Sequence, residues 1–489
     1  MTPRLSVLVA SLLLFSACFD EVPHSTDSPR AQDSETGDPV YPSLTNFCRT
    51  MTISGNVFYN DLRTHGRFSL RDREGGGTGA AEPYGDGDDR NYLALRDAQV
   101  DLYEVDTTWD ARYAGCEETH KVGSATVQKD GSFTWTGQVC EYCGTDPDGG
   151  QDASLSIGAK VLLRHCTDPE TRCFSVADPQ GDGVSDHYQD EWGGVTWSKW
   201  MTGASNTQPK QTAGTSPSLG TTYFEGASPT SQSARAANVF SSLVDVTRKM
   251  HLQAGVAFGR DEVVTYFPNV IGGIAHSHET GRLCVTDPGA GDWLDGDVEM
   301  HEYGHLLHYW EWANQGKWVS YAYDSNGDGF VTPDETEESY SQQEYANAAF
   351  KEGWADFVAG VTLDNTGSWL GCDGLETGND QACPGGICPQ GRHYFSDVTS
   401  VLCDLWDTES DCETRDGVEY CDTTDLTVNE MLDALHDVWI HASQTDRDIV
   451  IDADANDPAI LGTFGVCTLF DELSNVGETF KVSGLDCGS

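Results

Sequence analysis

Apolar residues recur along this chain with two different periods, and the change from one to the other divides it. From Asn46 to Val176 the period is two: "MTISGNVFY", "DAQVDLYEV", "GSATVQ" and "SFTWTGQV" alternate or cluster branched and aromatic residues, and Asp130-Gly131 supplies a hairpin turn. This pattern predicts a small β-sandwich over residues 46–176. Residues 177–235, rich in Ser, Thr, Gly and Pro from Gly193 to Ser233, are expected to form a connector laid partly on a domain surface. Helical spacing begins in "ARAANVFSSLVDVTRKMHL", where Val239, Leu243 and Val246 or Thr247 recur, so a second folded unit is expected over 236–489. Within it, "DGDVEMHEYGHLLHYW" carries Met300, Tyr303, Leu307 and Trp310 at steps of three, four and three, with Asp295 or Asp297 placed to cap the helix. A further helix is predicted in "NAAFKEGWADFVAGV" from Phe350, Trp354, Val358 and Val361, opened by the capping box Ser341-Gln-Gln-Glu344. "DVTSVLCDLWDTESD" and "TVNEMLDALHDVW" predict a helical remainder.

Before residue 46 the pattern is of another kind. Met-Thr-Pro-Arg followed by "LSVLVASLLLFSAC" is a positive start and an apolar run too brief to span a bilayer, which predicts an export signal over 1–17. Phe15-Ser16-Ala17-Cys18 resembles a bacterial lipobox, which implies lipidation of Cys18 and anchoring at the cell envelope; cleavage without a lipid is the alternative. Residues 18–45 are polar and aperiodic, as a flexible tether is.

Composition sharpens the reading. Sixteen cysteines in an exported chain predict disulfides rather than cytosolic thiols, and Cys140/Cys143, Cys166/Cys173 and Cys383/Cys388 are close enough along the chain to pair locally. Seventy-nine acidic against 28 basic residues give a net charge of −51, which excludes nucleic acid as an electrostatic partner and leaves a lipid anchor as the only expected membrane contact.

The chemistry lies on the two central predicted helices. Residues four apart on a helix lie about 6 Å apart on one face, so His301 and His305 can address one ion while Glu302 is turned aside. His308 shares their face but lies seven residues from His301, roughly 10 Å along the axis, and is read as neighbouring packing or pocket wall. On the next helix Glu352 and Asp356 are also four apart; one carboxylate would complete a His2Glu set and the other accept a hydrogen bond from a ligand imidazole.

"HEYGH" followed by "EGWAD" resembles the HExxH and ExxxD motifs of the gluzincin metallopeptidases. The resemblance runs from about Ala236 to Val361 and includes "GRLCVTD" as an edge strand. With the β-sandwich predicted over residues 46–176, it implies a multidomain protein in which that sandwich is followed by an α+β zincin-like domain with a mostly helical C-terminal lobe. It further implies zinc held by His301, His305 and Glu352, with Asp356 orienting His301. The expected activity is hydrolysis of peptide bonds in a protein or peptide substrate by a metal-activated water, with Glu302 as general base. His393, Tyr394, His436 and His441 are the residues available to stabilise the transition state. The first hundred or so residues of the sandwich resemble prealbumin-like or carboxypeptidase-regulatory-like accessory domains. A surface-anchored, catalytically inactive metal-containing binding protein or adhesin is the alternative reading.

Between the two helices, "DSNGDGFVTPDE" fits an EF-hand-like calcium loop over 324–335. Asp324, Asn326 and Asp328 fall at positions one, three and five, Gly329 at six, the Phe330 carbonyl at seven, Thr332 at nine and Glu335 at twelve. Calcium is therefore expected to hold the catalytic unit together. "DPQGDGVSD", from Asp178 to Asp186, echoes the pattern with Gln189 in place of the terminal carboxylate.

Overall fold

The structure is a computed structural model and describes residues 48–61, 92–105, 119–140, 155–166, 172–178, 195–202, 210–212, 216–224, 232–256, 262–269, 275–277, 282–286, 296–312, 346–363, 371–372, 395–406, 412–415, 418–421, 424–441 and 473. Cys18, the 324–335 loop, the echo beyond Asp178 and Cys383/Cys388 lie outside the described residues, as do His393 and Tyr394.

The alternating segments form two sheets. In the first, β1 (Cys48–Asn60) pairs antiparallel with β2 (Tyr92–Ala94) and β5 (Ser132–Cys140), and parallel with β12 (Ser218–Phe224). β1 buries Met51, Ile53, Val57 and Tyr59, every second side chain, as one buried face requires. In the second sheet, β3 (Gln99–Val105) lies between β4 (Thr119–Thr126) and β6 (Leu155–Leu162), and β10 (Ser198–Thr202) and β11 (Lys210–Thr212) pair with the far side of β6. At the hairpin before β5, Gly131 adopts φ 83°, where a side chain would be strained and a Cβ would come within 2.9 Å of the Phe58 ring.

A third, mixed sheet follows. β7 (Arg164–Cys166) and β9 (Val195–Thr196) pair antiparallel with β8 (Cys173–Asp178); β8 runs parallel to β13 (Glu262–Asn269), β13 parallel to β15 (Arg282–Thr286), and β14 (Ala275–Ser277) closes the far edge. "GRLCVTD" is therefore a strand but not an edge, because β14 covers its outer side. The segment read as a connector behaves differently from its composition: β9 to β12 lie within it and pair into all three sheets. Ser, Thr and Gly leave the backbone free to pair, and the neighbouring strands supply the partners.

The helix at the start of the second unit, α1 (Gln232–Thr247), is buried from Ala234 onward on every side rather than along one stripe. It packs against strands of the first and third sheets. Tyr59 Oη and Ser241 Oγ are 2.8 Å apart, Asn238 Nδ2 donates to the Asn60 carbonyl at 2.9 Å, and Phe174 meets Phe240 with ring centroids 5.4 Å apart. One hydrophobic core consequently runs from Ile53 in β1 to Leu432 in the last helix. A π-helical turn, Arg248–Gln253, extends α1, and its Arg248 pairs with Asp97, between β2 and β3, at 3.1 Å.

The remaining helices are α2 (Gly296–Trp312), α3 (Ala346–Leu363), α4 (Phe395–Trp406) and α5 (Val428–His441). Met300, Tyr303 and Leu307 of α2 and Phe350, Trp354, Val358 and Val361 of α3 are buried, as their spacing predicts. α5 begins with a reciprocal cap: the Thr427 backbone amide donates to Glu430 Oε2 at 2.8 Å and the Glu430 amide to Thr427 Oγ1 at 3.2 Å. Between described residues, disulfides join Cys48 to Cys140, Cys166 to Cys173 and Cys372 to Cys403. The local Cys140/Cys143 pairing is thereby replaced: β1 and β5 put Cys48 directly opposite Cys140. Disulfides of this kind point to an oxidising, extracellular compartment. Among the described residues, no helix is long and apolar enough to cross a membrane.

Candidate metal centre

α2 and α3 pack side by side, and their approach depends on a missing side chain. A Cβ on Gly304 would sit 2.7 Å from Ala355 Cα, 3.1 Å from the Ala355 carbonyl oxygen and 3.1 Å from Val358 Cβ. With no Cβ there, the turn of α2 bearing His301 and His305 reaches the turn of α3 bearing Glu352 and Asp356.

Three side chains converge where these turns meet. His301 Nε2 lies 3.2 Å and His305 Nε2 3.3 Å from the same oxygen, Glu352 Oε2. The two imidazoles stand edge to face, with centroids 4.7 Å apart. His301, His305 and Glu352 form a group that could hold a metal ion, with ligand atoms all within 4.8 Å of one another. Tetrahedral coordination at zinc-type bond lengths of 2.0–2.1 Å separates ligand atoms by about 3.3 Å, so both measured separations fit such an ion.

The environment prepares these atoms for that task. Asp356 Oδ1 lies 2.6 Å from His301 Nδ1, so the carboxylate accepts the Nδ1 proton and Nε2 is the ring nitrogen turned toward Glu352. Burial alone would lower the His301 pKa, but the charge and hydrogen bond of Asp356, joined by Glu352, outweigh it and raise it well above the usual imidazole range. Burial pushes Glu352 upward, yet the charge of His305 and the hydrogen bonds from both histidines hold it well below the usual carboxylate range.

No family model, curated protein or solved structure matches this chain. The reading of the centre therefore rests on its own residues.

Glu302, adjacent to His301 but outside the group that could hold an ion, is 9% exposed on α2. His308 is fully buried, edge-on to Phe350 with centroids 5.5 Å apart, and burial keeps it neutral by lowering its pKa well below the ordinary value. It packs, as its spacing implies. His436 and His441 fall within α5, but the positions of their side chains lie outside the described residues.

Two features of the site were not anticipated from sequence. Lys351, immediately before Glu352, is buried with its Nζ 3.8 Å from Glu352 Oε1; burial lowers its pKa to about 8 against the raising effect of Glu352 and Glu302. Its place beside Glu352 in "KEGWAD" was the available signal. The second is the anchor behind α2. The His251 Nδ1–H donates to the Val256 carbonyl at 2.7 Å, which leaves Nε2 to accept from the Tyr303 hydroxyl at 2.6 Å. Tyr303, the middle residue of HEYGH, is thus tied to the π-helical turn.

Proposed function

We propose that this protein is an exported zinc-dependent metallopeptidase that hydrolyses peptide bonds, with Glu302 as general base. The observation that carries the reading is the placement of Glu352 Oε2 at 3.2 and 3.3 Å from two imidazole nitrogens, one of them fixed by Asp356. Two imidazoles and a carboxylate suit zinc among the common ions, whereas an all-oxygen set would suit calcium or magnesium. When bound, zinc supplies Lewis acidity that polarises a water and the scissile carbonyl.

The chain's own residues do the rest. His301, His305 and Glu352 would hold the ion, and three protein ligands rather than four are what catalytic rather than structural zinc sites supply. Asp356 keeps His301 in the tautomer that presents Nε2. Glu302 follows His301 along α2 without being one of the three ligands, which leaves its carboxylate to take the proton from the attacking water and return it to the departing amine. The mechanism therefore needs no covalent enzyme intermediate. Calcium in the 324–335 loop, which connects α2 to α3, stabilises the unit, and lipid attachment at Cys18 would hold the protein at the cell envelope.

The decisive experiment exposes a mixture of unfolded proteins to the zinc- and calcium-loaded protein and reads new termini by mass spectrometry, with Glu302→Gln as control. Cuts that disappear in the variant while zinc is retained support the peptidase. If the wild type contains zinc but no cut depends on Glu302, the result favours a latent precursor or a metal-containing binding protein instead.

A further inference from the structure

Lysine is almost never fully buried unless it is paired, and Lys351 is buried at the edge of the metal centre with its side chain 7% exposed. Its Nζ lies 3.8 Å from Glu352 Oε1, the oxygen not shared with the histidines, while Oε2 takes both imidazole contacts. The two oxygens of Glu352 are thus assigned to different neighbours. That division matters because a carboxylate can bind an ion through one oxygen or both, and the second mode would occupy the position a hydrolytic site keeps open.

We infer that Lys351 is a positioning residue: its ammonium charge retains Glu352 Oε1, so that Glu352 ligates through Oε2 alone and the fourth position stays free. This rests on the metal-centre reading above and adds to it a cation that controls how the carboxylate ligates. Because Lys351 acts through Glu352, its removal changes how the ion is held before it changes any reaction.

The test uses Co2+ as the probe, titrated into chelator-stripped full-length protein, with the visible spectrum and a competing chelator as readouts. Circular dichroism first establishes that each variant is folded. Lys351→Met removes the charge but keeps an apolar stem, and should weaken Co2+ binding by about tenfold to a hundredfold, the usual range for loss of a group that orients a ligand. Its d–d absorption should also fall, as it does when four-coordinate cobalt becomes five-coordinate. Lys351→Arg should retain the wild-type spectrum and an affinity within about threefold of wild type, because the charge remains. Should Lys351→Met not fold, Lys351→Gln carries the same comparison. A folded neutral variant with wild-type affinity and spectrum would overturn the inference, as would Lys351→Arg behaving like the neutral variant. Failure of the wild type to take up Co2+ at all would overturn the metal centre itself and this inference with it.

Discussion

Replacing Gly304 with alanine separates the stability of the fold from the geometry of the metal centre. The new Cβ would lie 2.7 Å from Ala355 Cα and 3.1 Å from both the Ala355 oxygen and Val358 Cβ. Carbon atoms prefer separations of about 3.5–4.0 Å, so α2 and α3 must part by roughly 0.8 Å or more. Two energies oppose each other in the fold. Alanine gains about 1 kcal/mol over glycine in helix propensity, while overpacking costs about 1–3 kcal/mol. The net loss of stability should then be between about 0 and 2 kcal/mol. The centre has no such compensation. Its 3.2 and 3.3 Å separations both span the α2–α3 interface, and an opening of about 0.8 Å would take them near 4 Å, outside the roughly 0.2 Å tolerance of metal–ligand bonds. Chelator competition should show zinc affinity reduced at least about tenfold, while urea unfolding of the metal-free protein moves little. Adding Val358→Ala should not restore the affinity, because alanine keeps the Cβ at 3.1 Å and the contact with the Ala355 backbone remains. Wild-type zinc affinity in a folded Gly304→Ala variant would refute the argument that close helix approach sets the ligand geometry.

Other consequences follow from individual contacts. Asp356→Asn replaces the acceptor for His301 Nδ1–H with a neutral group and should weaken zinc binding by about tenfold to a hundredfold, read by the same competition. His251 has a folded pKa lowered by burial to about 4 from 6.5, so the unfolded chain binds the extra proton between these values and stability falls as pH drops through that window. The contribution is full above about pH 6.5 and its loss reaches about 3 kcal/mol at pH 4. Urea titrations from pH 7.5 to 4 should therefore show a shallower pH slope in His251→Gln, and parallel slopes would contradict the assignment. On the proposed function, removing calcium while zinc is retained should lower both the melting temperature and the peptidase activity; an unchanged melt would refute a stabilising calcium in the 324–335 loop.

The chemistry of the centre was legible because it is encoded locally. Helical periodicity alone puts His301 and His305 on one face of α2, and Glu352 and Asp356 within reach of each other on α3, whatever the rest of the chain does. Alternation likewise made β1 and β5 readable, since a strand with one buried face must repeat every second residue. What joins distant segments was decided by tertiary structure. Cys48 finds Cys140 across a separation of 92 residues through strand register. Residues whose composition suggested a connector became strands because neighbouring sheets offered backbone partners. α1 is buried on all sides because sheets and α2 enclose it, which its own stripe does not specify. The same holds within the centre: sequence supplied donor types on two helices, but Gly304 sets their separation and Lys351 faces one particular oxygen. Periodicity specifies which way a side chain faces on its own element, whereas the distance to another element depends on side-chain volumes meeting across the interface.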